Sequence, residues 1–129
     1  MEGCAPLCRE EVQLTCYPGG GAQYVRHVDN NDTDAAGKRR RGGRHVTAIF
    51  YPNLDWREGD GGALRLHVDG GGDAAAGSAD ASPVDVSPVG NRLVCFWSDA
   101  RVPHEVESAY ADRYAVSAWY HDTKVLKVW

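Results

Sequence analysis

Glu11–Gly21, EVQLTCYPGGG, carries the reading of the fold. Val12, Leu14 and Cys16 alternate with Gln13 and Thr15, which is the period of a half-buried strand with its apolar face turned to the core. Tyr17-Pro18-Gly19-Gly20-Gly21 then forces a turn. The same alternation of short runs and breakers continues along the chain. Tyr24–Asp29 is a second strand candidate. His45–Tyr51 (HVTAIFY) is a third, ended by Pro52-Asn53. Leu64, Leu66 and Val68 alternate with Arg65 and His67, and Val84–Val86 is a short strand. Arg92–Trp97 (RLVCFW) is apolar almost throughout, the pattern of a central strand. Val102–Val106, Arg113–Tyr120 (RYAVSAWY) and Lys124–Trp129 complete the set. No window supports an amphipathic helix longer than two turns, and Ser108–Ala111 allows one short turn. Roughly eight or nine strands in a chain of 129 residues predict an all-β antiparallel sandwich, jelly roll or small barrel.

Composition bounds the function. Hydrophobic residues make up 43% and charged residues 25%, so the chain is globular, and its length allows one domain. Fourteen basic against eighteen acidic residues give a formal charge of −4, which argues against a nucleic-acid coat. Asn31–Gly43, with its basic run Lys38–Arg41, and Asp69–Ser82, DGGGDAAAGSADAS, read as solvated loop insertions at about 31–43 and 69–82. No apolar run reaches the roughly 18–20 residues of a membrane helix, and Met1–Glu10 shows no signal peptide. The four cysteines, Cys4, Cys8, Cys16 and Cys95, are too sparse for a disulfide framework. They point to a reducing compartment, cytoplasmic or nuclear, with Cys16 and Cys95 expected as buried free thiols.

His27-Val28-Asp29 is the strongest chemical signal. On a strand, residues i and i+2 share a face, so an imidazole and a carboxylate stand side by side. One further ligand would complete the two-His-one-carboxylate set of non-haem Fe(II) oxygenases. His104 can supply it. Arg113 follows nine residues later, and neighbouring antiparallel strands would bring its guanidinium to the same pocket to hold a carboxylate in a bidentate grip. A metal face and a buried cation in one sheet are the inventory of a 2-oxoglutarate-dependent oxygenase. His45, His67 and His121 have no partners at ligand spacing, and Trp56, Trp97 and Trp129 read as core.

Five stretches carry a more specific likeness. CYPGGGAQYVRHVDN (Cys16–Asn30), HVTAIFYPNLDW (His45–Trp56), GGALRL (Gly61–Leu66), LVCFWSDARVPHEV (Leu93–Val106) and YADRYAVSAWYHD (Tyr110–Asp122) resemble the HIF prolyl hydroxylase (EGLN/PHD) family, in the same order. The resemblance implies a double-stranded β-helix, jelly-roll or cupin-like. It implies Fe(II), 2-oxoglutarate as co-substrate and ascorbate, with O2 and a proline-containing peptide or protein as reaction partners and no nucleic acid or membrane. By match to the family, His27, Asp29 and His104 hold the iron. Arg113 and Tyr51 hold the distal carboxylate of 2-oxoglutarate, Tyr17 lines its pocket, and Ile49, Leu64 and Val106 are the apolar walls. Tyr24 and Trp119 lie near the substrate proline, and Arg44 at the peptide mouth. The reaction implied is hydroxylation of the proline at C4 with release of succinate and CO2. The chain departs from the family at Val102, where an Asn is usual, and at Ala100, where an Arg is usual. The family's N-terminal helices have no counterpart before Glu11, so residues 1–10 read as a stub and 11–129 as the oxygenase core. The rival reading is a truncated pseudo-enzyme that binds iron and 2-oxoglutarate as a sensing or interaction module.

Overall fold

The computed structural model describes residues 7–30, 43–68 and 82–122. The sequence readings of the loops at 31–42 and 69–81, of Cys4 and of a last strand over Lys124–Trp129 lie outside them. Eight strands form: β1 Leu7–Tyr17, β2 Ala22–His27, β3 Arg44–Tyr51, β4 Leu64–Leu66, β5 Val84–Val86, β6 Arg92–Trp97, β7 His104–Ala109 and β8 Arg113–Asp122. They pair antiparallel into two four-stranded sheets of order β1-β8-β3-β6 and β2-β7-β4-β5. The two sheets are the halves of a jelly roll. β1 begins at Leu7, inside the stretch read as a stub. The only helical turn among the described residues is a 3-10 turn at Glu58–Asp60; Ser108 and Ala109 close β7 instead of opening a turn. No helix among the described residues is long and apolar enough to cross a membrane.

The core between the sheets gathers Ile49 and Tyr51 of β3, Leu64 and Leu66 of β4, and Phe96, Val102, Val106 and Ala115. Burying such side chains contributes roughly 1.5–3 kcal/mol each. The first sheet has a second apolar surface, on its outside. Strand register aligns Leu14, Val116, Phe50 and Leu93 in one row across all four strands. Val12, Ala118, Ala48 and Cys95 form the next row.

Four expectations are overturned here. The apolar face of β1 points outward: Val12 is 53% and Leu14 72% exposed, and the polar set Gln13 and Thr15 faces the cavity between the sheets. Cys16 and Cys95 are exposed for the same reason. β6 is an edge strand of its sheet, not a central one; its run is apolar because Phe96 fills the core while Leu93, Cys95 and Trp97 sit on the outer face. Trp97 is 43% exposed and so is not core.

Candidate active site

A cavity of about 560 Å³ opens between the sheets. His27 closes β2 and His104 opens β7, and the two are direct partners in the strand register. Asp29 lies just past the end of β2, in a bend; its side chain still returns to the same point. Nε2 of His27 is 3.3 Å from Asp29 Oδ1, and Nε2 of His104 is 3.5 Å from the same atom. One ligand atom from each of the three residues lies within 4.8 Å of the others.

The surroundings decide which atoms are on offer. Nδ1 of His27 donates to the Val25 carbonyl at 2.8 Å, and Nδ1 of His104 to the Val102 carbonyl at 3.1 Å. A carbonyl can only accept, so Nδ1 carries a proton in both rings and both Nε2 atoms face Asp29, where each donates to the carboxylate when its ring is protonated and offers a lone pair to a cation when its ring is neutral. Asp29 is fixed by its other oxygen. Oδ2 accepts from Thr47 Oγ1 at 2.6 Å and from Trp119 Nε1 at 3.1 Å. Ser98 in turn donates to Thr47 at 2.8 Å, since the Thr47 proton is committed to the carboxylate. Burial pushes the Asp29 pKa up, but hydrogen bonds from His104, His27 and Thr47 together outweigh it and hold the carboxyl well below the usual range. Its hydrogen bond to Asp29 raises the His27 pKa against the opposing effect of burial. Phe96 meets the His104 ring edge-to-face at 4.7 Å, so the core braces that ligand. Two neutral imidazole nitrogens and one carboxylate oxygen converging on one point suit a divalent first-row cation such as Fe(II).

Arg113 opens β8 and is 2% exposed on the opposite side of the cavity. It lies in the first sheet and His104 in the second, so the two do not share a sheet as the sequence predicts; they meet across the cavity. Nε donates to the Gly62 carbonyl at 2.7 Å and Nη2 to the Tyr51 hydroxyl at 3.2 Å. Both acceptors are neutral, and no carboxylate among the described residues forms an ion pair with Arg113. A buried guanidinium with neutral partners alone is costly, and an anionic ligand entering the cavity would offset that cost. A dicarboxylate fits the need. Burial raises the pKa of both Tyr17 and Tyr51, so both remain phenols at neutral pH.

Tyr17, Tyr24, Arg44, Ile49, Leu64, Val106 and Trp119 all line the cavity. Tyr51 does not: it is fully buried behind Arg113 and reaches the cavity through that guanidinium. At the mouth, Arg44 stacks on Trp119 at 3.9 Å and pairs with Glu11 at 2.7 Å. Sequence reasoning missed Thr47, Ser98, Gly62 and Asn53. Gly62 has φ of +64°, and a Cβ there would press on Arg113 Cδ and Trp56 at 3.0 Å. Asn53 bonds both the N–H and the carbonyl of Tyr114, at 2.8 and 2.9 Å, and so fixes the start of β8. The Gly61-Gly62 pair was the one available signal, since paired glycines mark a backbone that other residues cannot follow.

A two-His-one-carboxylate cluster facing a buried arginine across a jelly-roll cavity defines the class, and the comparisons agree. The chain belongs to the 2OG-Fe(II) oxygenase superfamily, which it matches over residues 12–121. Within that class it is similar to Egl nine homolog 1 of Rattus norvegicus, 44% identical over 115 residues, covering 88% of this chain and 29% of that protein. The hypoxia-inducible factor prolyl hydroxylase of Caenorhabditis elegans is 40% identical over 115 residues, covering 88% of this chain and 14% of that protein. A solved prolyl hydroxylase from Trichoplax adhaerens, in complex with a hypoxia inducible factor oxygen degradation domain peptide fragment, aligns with a TM-score of 0.73 and 38% identity. That alignment covers 93% of this chain and 47% of the other. The chain thus spans less than half the length of these relatives.

Proposed function

We propose that the chain is the core of a dioxygenase that hydroxylates a peptidyl proline at C4. The carrying observation is the convergence of His27, Asp29 and His104 on a cavity that also holds the buried Arg113. In this reading His27 Nε2, His104 Nε2 and Asp29 Oδ1 hold Fe(II). Arg113, kept in place by Gly62 and Tyr51, takes the distal carboxylate of 2-oxoglutarate as a charge-assisted, forked pair. Ile49, Leu64 and Val106 pack against its methylenes, and the Tyr17 ring closes the side, its centroid 5.2 Å from the Arg113 guanidinium carbon.

Bound there, Fe(II) supplies the redox chemistry in which O2 and 2-oxoglutarate give succinate and CO2, one oxygen atom passing to succinate and the other into the proline C–H bond. Tyr24, Arg44 and Trp119 ring the mouth and orient the peptide, which excludes water from the reacting centre. Ascorbate is the reductant that returns oxidised iron to Fe(II), and the sparse cysteines favour a cytoplasmic or nuclear setting. Similarity to proteins named as prolyl hydroxylases supports proline as the target residue.

The test is mass spectrometry of the anaerobically iron-loaded chain after exposure to O2, 2-oxoglutarate and ascorbate, with a proline peptide and its alanine analogue. Succinate together with a 16 Da gain on the proline peptide alone is the expected result. Iron and 2-oxoglutarate binding without either product would instead favour the binding module.

A further inference from the structure

We propose that Glu11 is a specificity-determining residue of the cavity mouth: by holding Arg44, it selects against peptides that carry an acidic side chain beside the target proline. The inference rests on the reading of the chain as a peptidyl-proline dioxygenase and says which peptides that site accepts. Glu11 stands opposite Trp119 in the register of β1 with β8, and Trp119 stands opposite Thr47 of β3. Gln13, two residues on and so on the same face of β1, lines the cavity, as do Trp119 and Thr47. Glu11 therefore belongs to the cavity side of its strand, one inward position beyond Gln13. Arg44, at the start of β3, reaches back across β8 to meet it. Its Nε donates to Glu11 Oε2 at 2.7 Å, and its Cζ lies 3.9 Å from the centroid of the Trp119 ring. The ion pair is a strap laid over the indole, tying together the two strands that flank β8.

Two features give the pair its effect. The first is that the Arg44 guanidinium has a fixed platform. Trp119 is 8% exposed and donates from Nε1 to Asp29 Oδ2 at 3.1 Å, so the ring under the cation is anchored to the His27, Asp29 and His104 cluster. The second is the supply of charge. Two arginines line the cavity among the described residues; Arg113 is buried at the inner end, so Arg44 is the one at the mouth. Alone, it would be the natural partner of an acidic side chain on the peptide. Glu11 already occupies that place. The hydrogen bond from Arg44 is the main cause that holds the Glu11 carboxyl below its ordinary pKa, so it is charged at neutral pH. An acidic peptide has to push one carboxylate aside with another and leave two like charges together at the mouth. A neutral or basic side chain meets no such conflict. The pair adds little stability, because both side chains are open to solvent. What it adds is a repulsion aimed at one class of partner, which is how specificity is gained without extra affinity for the others.

Fluorescence anisotropy tests the proposal. The chain, loaded with Fe(II) and 2-oxoglutarate in the absence of O2, is titrated against labelled proline peptides that differ only in whether Glu, Gln or Lys flanks the proline. The parent should bind the Glu peptide about tenfold more weakly than the Gln and Lys peptides, the size of a like-charge conflict at a partly solvated site. Glu11→Gln should strengthen binding of the Glu peptide, relative to the Gln peptide, by about tenfold or more. Adding Arg44→Gln should remove that gain, because Glu11 acts through the charge of Arg44. Each result is a ratio between peptides on one protein, so a loss of folded material does not move it. A parent that binds the Glu peptide as well as the others, or a ratio that Glu11→Gln leaves unchanged, overturns the proposal while leaving proline hydroxylation standing. Binding of iron and 2-oxoglutarate with no binding of any peptide overturns that reading, and this one with it.

Discussion

The two ends of the cavity are secured in different ways. At the His27, Asp29 and His104 end, every donor is fixed by at least one contact besides those within the trio: two backbone carbonyls, Thr47, Trp119 and the Phe96 ring. At the other end a single guanidinium stands on one carbonyl and one phenol. The first end spreads its geometry over many residues and tolerates the loss of an anchor better than the loss of a donor. The second concentrates its charge in Arg113, so nothing shares the load. In the proposed function, a site that grips a cation in fixed geometry and releases a small anion each turnover would be served by that asymmetry.

Mutations separate the two ends, in decreasing order of effect. His27→Ala or His104→Ala removes a donor and should abolish Fe(II) binding, measured anaerobically by calorimetry; full-strength binding by either variant would break the assignment. Arg113→Ala should leave iron bound and weaken 2-oxoglutarate by the ~2–5 kcal/mol of a lost buried charge pair, with Arg113→Lys recovering only part, since Lys lacks the fork. An unchanged 2-oxoglutarate affinity would mean that the charge is shared after all. Thr47→Val removes one anchor of Asp29 and should lower Fe(II) affinity by about 10–100-fold while 2-oxoglutarate, tested on iron-saturated protein, follows less steeply. Gly62→Ala is the mildest: a left-handed φ costs about 1–2 kcal/mol for an alanine, or a fall in Tm of about 3–10 °C. Its small loss of affinity should fall on 2-oxoglutarate and spare iron. Equal losses for both ligands would show that the two ends are not independent.

The strands were legible because period two survives in almost every one of them, and Val84–Val86 and Arg92–Trp97 appear with the bounds the sequence predicts. Which face turned inward was not. In β1 the apolar set Val12, Leu14 and Cys16 lies outside because the inner wall must offer Gln13, Thr15 and Tyr17 to a polar cavity. An alternation rule assumes one core and one solvent face; this sheet has a cofactor-sized cavity on one side and an apolar surface on the other. At the site, the His-x-Asp pair was legible because its spacing is local. The groups that aim it were not, since Thr47 acts 18 residues from Asp29, Ser98 acts 51 from Thr47, and Gly62 acts 51 from Arg113. Such partners declare themselves only once the sheets have formed.

The register between β2 and β7 has a consequence for the life of the polypeptide. β2 is an edge strand held to β7 through three aligned pairs, with two irregularities between them, and the last pair is His27 with His104. A cation gripping both imidazoles is therefore a rivet through two strands as well as a reagent. Withdraw it, and the border of the sheet is left to a broken ladder, with backbone groups ready to pair with a neighbouring chain or enter a protease. Scarcity of iron would then be written not only into turnover but into how long each molecule survives.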